Sequence, residues 1–122
     1  MGFKDIFNNN YETTEDALTD ELKTRYYRNR YEEVVDVVKE MIKEEGGTIK
    51  AEIKEYQEIY FETVDYSCTV TIVGVRPSET AVDFKITTYK VFANGKGKKI
   101  IISLYKYLDS KLSFKGLSLY NK

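Results

Sequence analysis

The sequence predicts an α+β domain, an antiparallel meander of four to five strands with two main amphipathic helices packed on one face, in the order (β)-α-β-β-β-β-α. Three observations predict it. Apolar residues between positions 31 and 42 recur every three or four residues, those between 49 and 86 recur every second residue, and the three-and-four rhythm returns after position 98. A helical period cannot generate the middle pattern, and a sheet with one apolar and one polar face suits antiparallel pairing better than parallel pairing.

Residues 1–14 read as a flexible arm that Phe3, Ile6, Phe7 and Tyr11 can dock on the body, and residues 15–122 as a single domain ending in an apolar tail, 112–122. A short helix fits 15–23, with Thr13 or Thr14 as its cap. Residues 22–27 alternate and favour a strand over a helical continuation. The first main helix follows Asn29: Tyr31, Val34, Val35, Val38, Met41 and Ile42 share one side, while Glu32, Glu33, Asp36, Lys39, Glu40 and Lys43 fill the other. Asn29 with Glu32 resembles a capping box, and Gly46-Gly47 can adopt the left-handed conformation that ends a helix.

From Thr48 the inward set is Ile49, Ala51 and Ile53, then Ile59 and Phe61, then Cys68, Val70 and Ile72, then Val82, Phe84 and Ile86. Directly opposed residues share a face, so parity sets the registers. It pairs Ile53 with Ile59 and Ala51 with Phe61 across a turn at 55–57 that lacks Gly, Asn or Pro. It also pairs Phe61 with Cys68, Ile59 with Val70, Val70 with Phe84 and Cys68 with Ile86, and centres the last turn on Pro77, where no ladder hydrogen bond is lost. Asn94, Gly95, Lys96 and Gly97 break the pattern. The second helix then fits 98–109, with Ile100, Ile101, Leu104, Tyr105 and Leu108 as its stripe.

With 122 residues, 42% of them hydrophobic, the chain can bury one core without disulfide or metal staples. No apolar run approaches the roughly 20 residues of a spanning helix, and the first five residues lack the apolar segment of a signal peptide, so the expectation is a cytoplasmic protein with no membrane span. The single cysteine, Cys68, has inward parity and reads as a small buried hydrophobe. Residues 1–66 carry 9 Lys or Arg against 17 Asp or Glu, and residues 67–122 carry 10 against 3, so the halves are charged −8 and +7. This asymmetry either orients an acidic partner toward the second half or lets the halves attract each other.

The chain has no histidine, which removes the commonest metal ligand and the side chain best suited to proton transfer near neutral pH. No spacing of Tyr, Lys, Asp or Glu matches a catalytic motif, so no catalytic residue, metal site or cofactor is assigned. Gly95, Lys96, Gly97, Lys98 and Lys99 form the most suggestive segment for a ligand: flexible backbone at a helix start, with three lysines, can receive a phosphate or carboxylate. It is not a P-loop. Arg25, Tyr26, Tyr27, Arg28, Asn29, Arg30 and Tyr31 interleave basic and aromatic residues as single-strand nucleic-acid sites do, but their acidic surroundings argue against that partner. The acidic pairs near 15, 20 and 44 lack the spaced, glycine-centred loop of a calcium site.

The tail residues Leu112, Phe114, Leu117, Leu119 and Tyr120 are too apolar to be left in water, so they pack on their own domain or meet another chain. The expected function is a small non-enzymatic binding or protein-interaction domain, its partner an unidentified protein or a second copy. The alternative is a carrier of a small apolar or anionic ligand held by residues 95–99. Single-stranded nucleic-acid binding through residues 25–31 comes last.

Overall fold

The computed structural model describes residues 10–89 and 96–119. The strands are β1 (Asn10–Glu12), β2 (Arg25–Tyr27), β3 (Thr48–Ile53), β4 (Glu58–Glu62), β5 (Tyr66–Arg76), β6 (Glu79–Thr88) and β7 (Phe114–Leu117). The helices are α1 (Tyr31–Glu44) and α2 (Lys96–Lys111). The class is α+β, and among the described residues the sheet holds seven antiparallel strands instead of four or five, six of them in the order β3-β4-β5-β6-β2-β7. β1 also pairs with β6, lying end to end with β2 along the same edge. The additional strands come from the segments read as an arm and a tail. Asn10–Glu12 is a paired strand, and Phe114–Leu117 closes the far side against β2.

Both helices bury their stripes against the same sheet face. Val34, Val38, Met41 and Ile42 of α1 and Ile101, Leu104, Tyr105 and Leu108 of α2 join Phe61, Cys68, Val70, Ile72, Val82, Phe84 and Ile86 in one core. The helices run antiparallel. The chain entering α1 is tied to the chain leaving α2 by the Arg28 N–H donating to the Ser113 carbonyl (2.7 Å) and the Ser113 N–H donating to Asn29 Oδ1 (2.8 Å). Asn29 is therefore not the cap of α1. That place is held by Arg30, whose N–H donates to Glu33 Oε1 (2.9 Å); a guanidinium has no lone pair with which to return the bond. The far end closes as expected: Gly46 has φ +72°, and the Gly46 and Gly47 N–H groups donate to the carbonyls of Lys43 and Ile42.

The meander registers Phe61–Cys68, Ile59–Val70, Val70–Phe84 and Cys68–Ile86 are all present. The β3–β4 register is not the expected one. A bulge between Ile49 and Ala51 opposes Ile49 to Phe61, Glu52 to Ile59 and Ile53 to Glu58. One extra residue reverses the faces beyond it, so Ile53 leaves the core and is 36% exposed. The 55–57 turn is made by a 3-10 turn, Lys54–Tyr56, and by Gln57 in the left-handed conformation at φ 57°. The expected helix at 15–23 reduces to the 3-10 turn Asp20–Leu22, and Thr13 is engaged elsewhere than at a helix cap.

Candidate functional site

Two regions concentrate polar chemistry, and they lie on opposite flanks of the sheet. The first is where β1 and β2 part along β6. β1 pairs with residues 85–87 and β2 with residues 80–82, which leaves Asp83 facing the gap. The chain leaves the sheet after Thr13 and returns at Thr24, and both hydroxyls donate to Asp83 Oδ1, the Thr24 bond at 2.7 Å. Thr13 Oγ1 in turn accepts the Phe84 N–H (2.9 Å), and Tyr105 Oη donates to the Val82 carbonyl (2.7 Å). Burial raises the Asp83 carboxyl pKa, the two hydroxyls pull it partly back, and the charges of Glu15 and Glu12 add to the rise.

A second set of bonds fastens α2 over β2. Asp109 accepts from Arg25 Nε (3.2 Å), Arg25 Nη2 (2.7 Å) and Tyr27 Oη (2.8 Å). The guanidinium lies 4.2 Å from the Phe114 ring centroid and 5.2 Å from that of Tyr105. Burial, then the bond to Asp109, pushes the Tyr27 phenol far up; burial and the charge of Asp83 do the same to Tyr105. These phenols stay protonated across the physiological range and act as donors. The network gives Asp109 three donors and gives the buried Tyr27 and Tyr105 hydroxyls an acceptor each. On the outer sheet face Tyr26 Oη donates to Glu15 Oε2, while Glu15 Oε1 is buried without a hydrogen-bond partner among the described residues.

The other flank is open. Tyr31, Val35 and Lys39 of α1 face Glu52 and Ile53 of β3, Lys54 and Gln57 of the turn, and Glu58 and Ile59 of β4 across a groove of about 510 Å³. Lys39 and Glu52 bridge it at 3.2 Å, both exposed. The groove is a consequence of the bulge: a regular ladder would turn Ile53 toward α1, whereas the extra residue presents Glu52 there and leaves Ile53 on the rim. Tyr56, at the tip of the hairpin, is 69% exposed.

The residues singled out in the sequence fare differently. Gly95 and Tyr120 lie outside the described residues. Lys96 opens α2, Lys98 pairs with Glu21 (3.6 Å), and Lys99 is exposed. Gly97 serves packing: a Cβ there would stand 1.8 Å from the Tyr11 ring. Leu112 is buried in the core, Phe114 stacks edge-on to Tyr27, Leu117 is half-buried in β7, and Leu119 is 41% exposed and in contact with Gly116. Tyr26 and Tyr27 are buried and Arg25 is ion-paired, so three members of the basic-aromatic run offer no free face for base stacking. Cys68 is buried, and burial holds its thiol protonated.

Sequence reasoning missed the Asp83 and Asp109 networks and the groove. Asp83 and Asp109 look like ordinary outward positions, and only their distant partners distinguish them. The groove left one trace, a hairpin turn without turn residues.

Among the described residues no group of three or more Cys, Asp or Glu side chains is placed to hold a metal ion, and no helix is long and apolar enough to cross a membrane. No protein-family model matches the chain, and no curated protein matches it.

Proposed function

We propose that the protein is a non-enzymatic interaction module that seats an apolar side chain of a partner protein's segment in the groove between α1 and the β3–β4 hairpin. The observation that carries this reading is the lining. Tyr31, Val35, Ile53 and Ile59 supply apolar surface, and Lys39, Glu52, Lys54 and Glu58 supply a charged rim of both signs, the composition of a site that anchors one side chain and orients its neighbours. The polar networks on the opposite flank support it by contrast, since their donors and acceptors already serve the fold. The single, buried thiol fits a reducing compartment, in keeping with a cytoplasmic location.

The test is a titration of the isotope-labelled chain with short peptides that carry one apolar anchor, Leu, Ile or Phe, between polar residues. Shifts confined to Tyr31, Val35, Ile53, Gln57 and Ile59, and lost in Val35→Glu with the remaining spectrum preserved, are expected. Saturating peptide that leaves those resonances in place overturns the reading.

A further inference from the structure

α1 and α2 lie side by side, and their solvent faces carry opposite charge in register. Glu33, Asp36, Glu40 and Glu44 recur at spacings of three, four and four, which aligns them along the exposed side of α1. Lys96, Lys99, Ser103, Lys106 and Ser110 recur at three, four, three and four, and form the exposed ridge of α2. Between the ridges, Val37, Ile100 and Tyr107 are half-buried and pack against the core, so the seam is apolar. The charges run against the helix dipoles: Glu44 and Glu45 stand at the negative end of α1, and Lys96, Lys98 and Lys99 at the positive end of α2. Within one copy the two halves meet in the ion pair of Lys98 with Glu21, which lies off both ridges. Among the described residues no ion pair engages Asp36, Glu40, Glu44, Lys99 or Lys106.

From this we infer that the helical face is a self-complementary interface whose occupant is a second copy of the chain. A two-fold axis along the seam, parallel to the helices, lays α1 of each copy over α2 of the other. Because α1 and α2 are antiparallel within one chain, the overlaid helices are antiparallel too, and each acidic ridge meets a lysine ridge while the apolar seams face each other. An axis across the helices would oppose like charges. The size of the face sets the strength: two helices roughly 20 Å long and about 10 Å apart give a footprint of about 400 Å² per copy, short of the roughly 800 Å² per partner of a standard interface. The dimer is weak and driven by charge.

Sedimentation equilibrium of the full chain tests it. At about 20 mM salt the weight-average mass rises with concentration toward two chains, and the dissociation constant weakens at least about tenfold by about 0.5 M salt. Asp36→Lys with Glu40→Lys sets a positive centre in the α1 ridge against the lysine ridge, and Lys99→Glu with Lys106→Glu sets a negative centre in the α2 ridge against the acidic one. Each double variant, with an unchanged far-ultraviolet circular dichroism spectrum, is monomeric alone, and an equimolar mixture of the two forms a heterodimer tighter than the wild-type pair. A wild type that stays monomeric at low salt overturns the inference. So does a dimer indifferent to these four positions, or a mixture of folded variants that does not associate.

Discussion

The two flanks of the sheet differ in where their partners come from. On the hairpin flank, β3 meets β4 and β4 meets β5 through turns of a few residues, and the groove is built almost entirely from positions 31–59. On the opposite flank the bonds that matter join Thr24 to Asp83, Thr13 to Asp83 and Arg25 to Asp109, across 59, 70 and 84 positions of chain. The local flank is open and ends in exposed Ile53 and Tyr56; on the distant flank Asp83 is paired with the Thr13 and Thr24 hydroxyls, and Asp109 with Arg25 and Tyr27. The lesson is a division of labour: long-range polar bonds hold the first and last segments to the meander, and that anchoring leaves the hairpin free to present surface.

Removing Asp109 is the most severe test of that division. Asp109→Ala strips the acceptor from Arg25, whose side chain is 17% exposed, and from the fully buried Tyr27, so two donors lose their partner at once. The expected loss is about 2–3 kcal/mol of unfolding free energy, below the full cost for a dry pair because Asp109 itself keeps some water. The matching change on the open flank, Glu52→Ala, breaks an exposed pair and costs under about 1 kcal/mol. Urea midpoints of the two variants measure the contrast, and equal losses would erase it.

The glycines give a second, smaller contrast. At Gly97 an added methyl meets the Tyr11 ring at 1.8 Å, so Gly97→Ala must push α2 away from β1 and costs about 1–3 kcal/mol. At Gly74, beside the groove, the nearest atom to a new Cβ is Tyr31 Cβ at 3.7 Å, an ordinary contact, so Gly74→Ala is neutral or stabilises by up to about 1 kcal/mol. A thermal midpoint for Gly97→Ala equal to that of the wild type would mean that β1 is not seated against α2.

The same division explains what was legible in the sequence. Alternation at 59–61, 68–72 and 82–86 is produced by burial of one sheet face, and it marks the inward residues there and two of the three hairpin registers. The helices were legible because their stripes face the same core. The β3 register was not, because Lys50 at the bulge is an ordinary polar residue with nothing to mark it as the extra one. β1 and β7 were hidden for a related reason: strands of three and four residues are too short to show a period, and their place is set by β6 and β2, far away in the chain. Asp83 and Asp109 each occupy positions where a solvated carboxylate would look identical. The groove follows from the bulge, and its trace in the sequence is a hairpin turn at 55–57 without turn residues.

The finest probe of the distant flank uses pH. Asp83 titrates in the folded protein above its unfolded value, chiefly because burial disfavours the charged form, so between those two values the folded state holds a proton that the unfolded chain has released. The contribution of Asp83 to stability therefore increases as pH falls through the folded value and levels off below the unfolded one. Thr24→Val removes a hydroxyl that donates to the charged carboxylate, which raises the Asp83 pKa further. Its cost, about 1 kcal/mol near pH 7, falls on the ionised form and should shrink toward about pH 4 as the carboxyl takes up its proton. Asp83→Asn, which cannot titrate, should make the Thr24→Val cost independent of pH. Urea midpoints at both pH values for the four chains resolve the cycle, and a Thr24→Val loss in the Asp83 background that is the same in acid as at neutrality would show that the hydroxyl holds the returning chain by some means other than the carboxylate it touches.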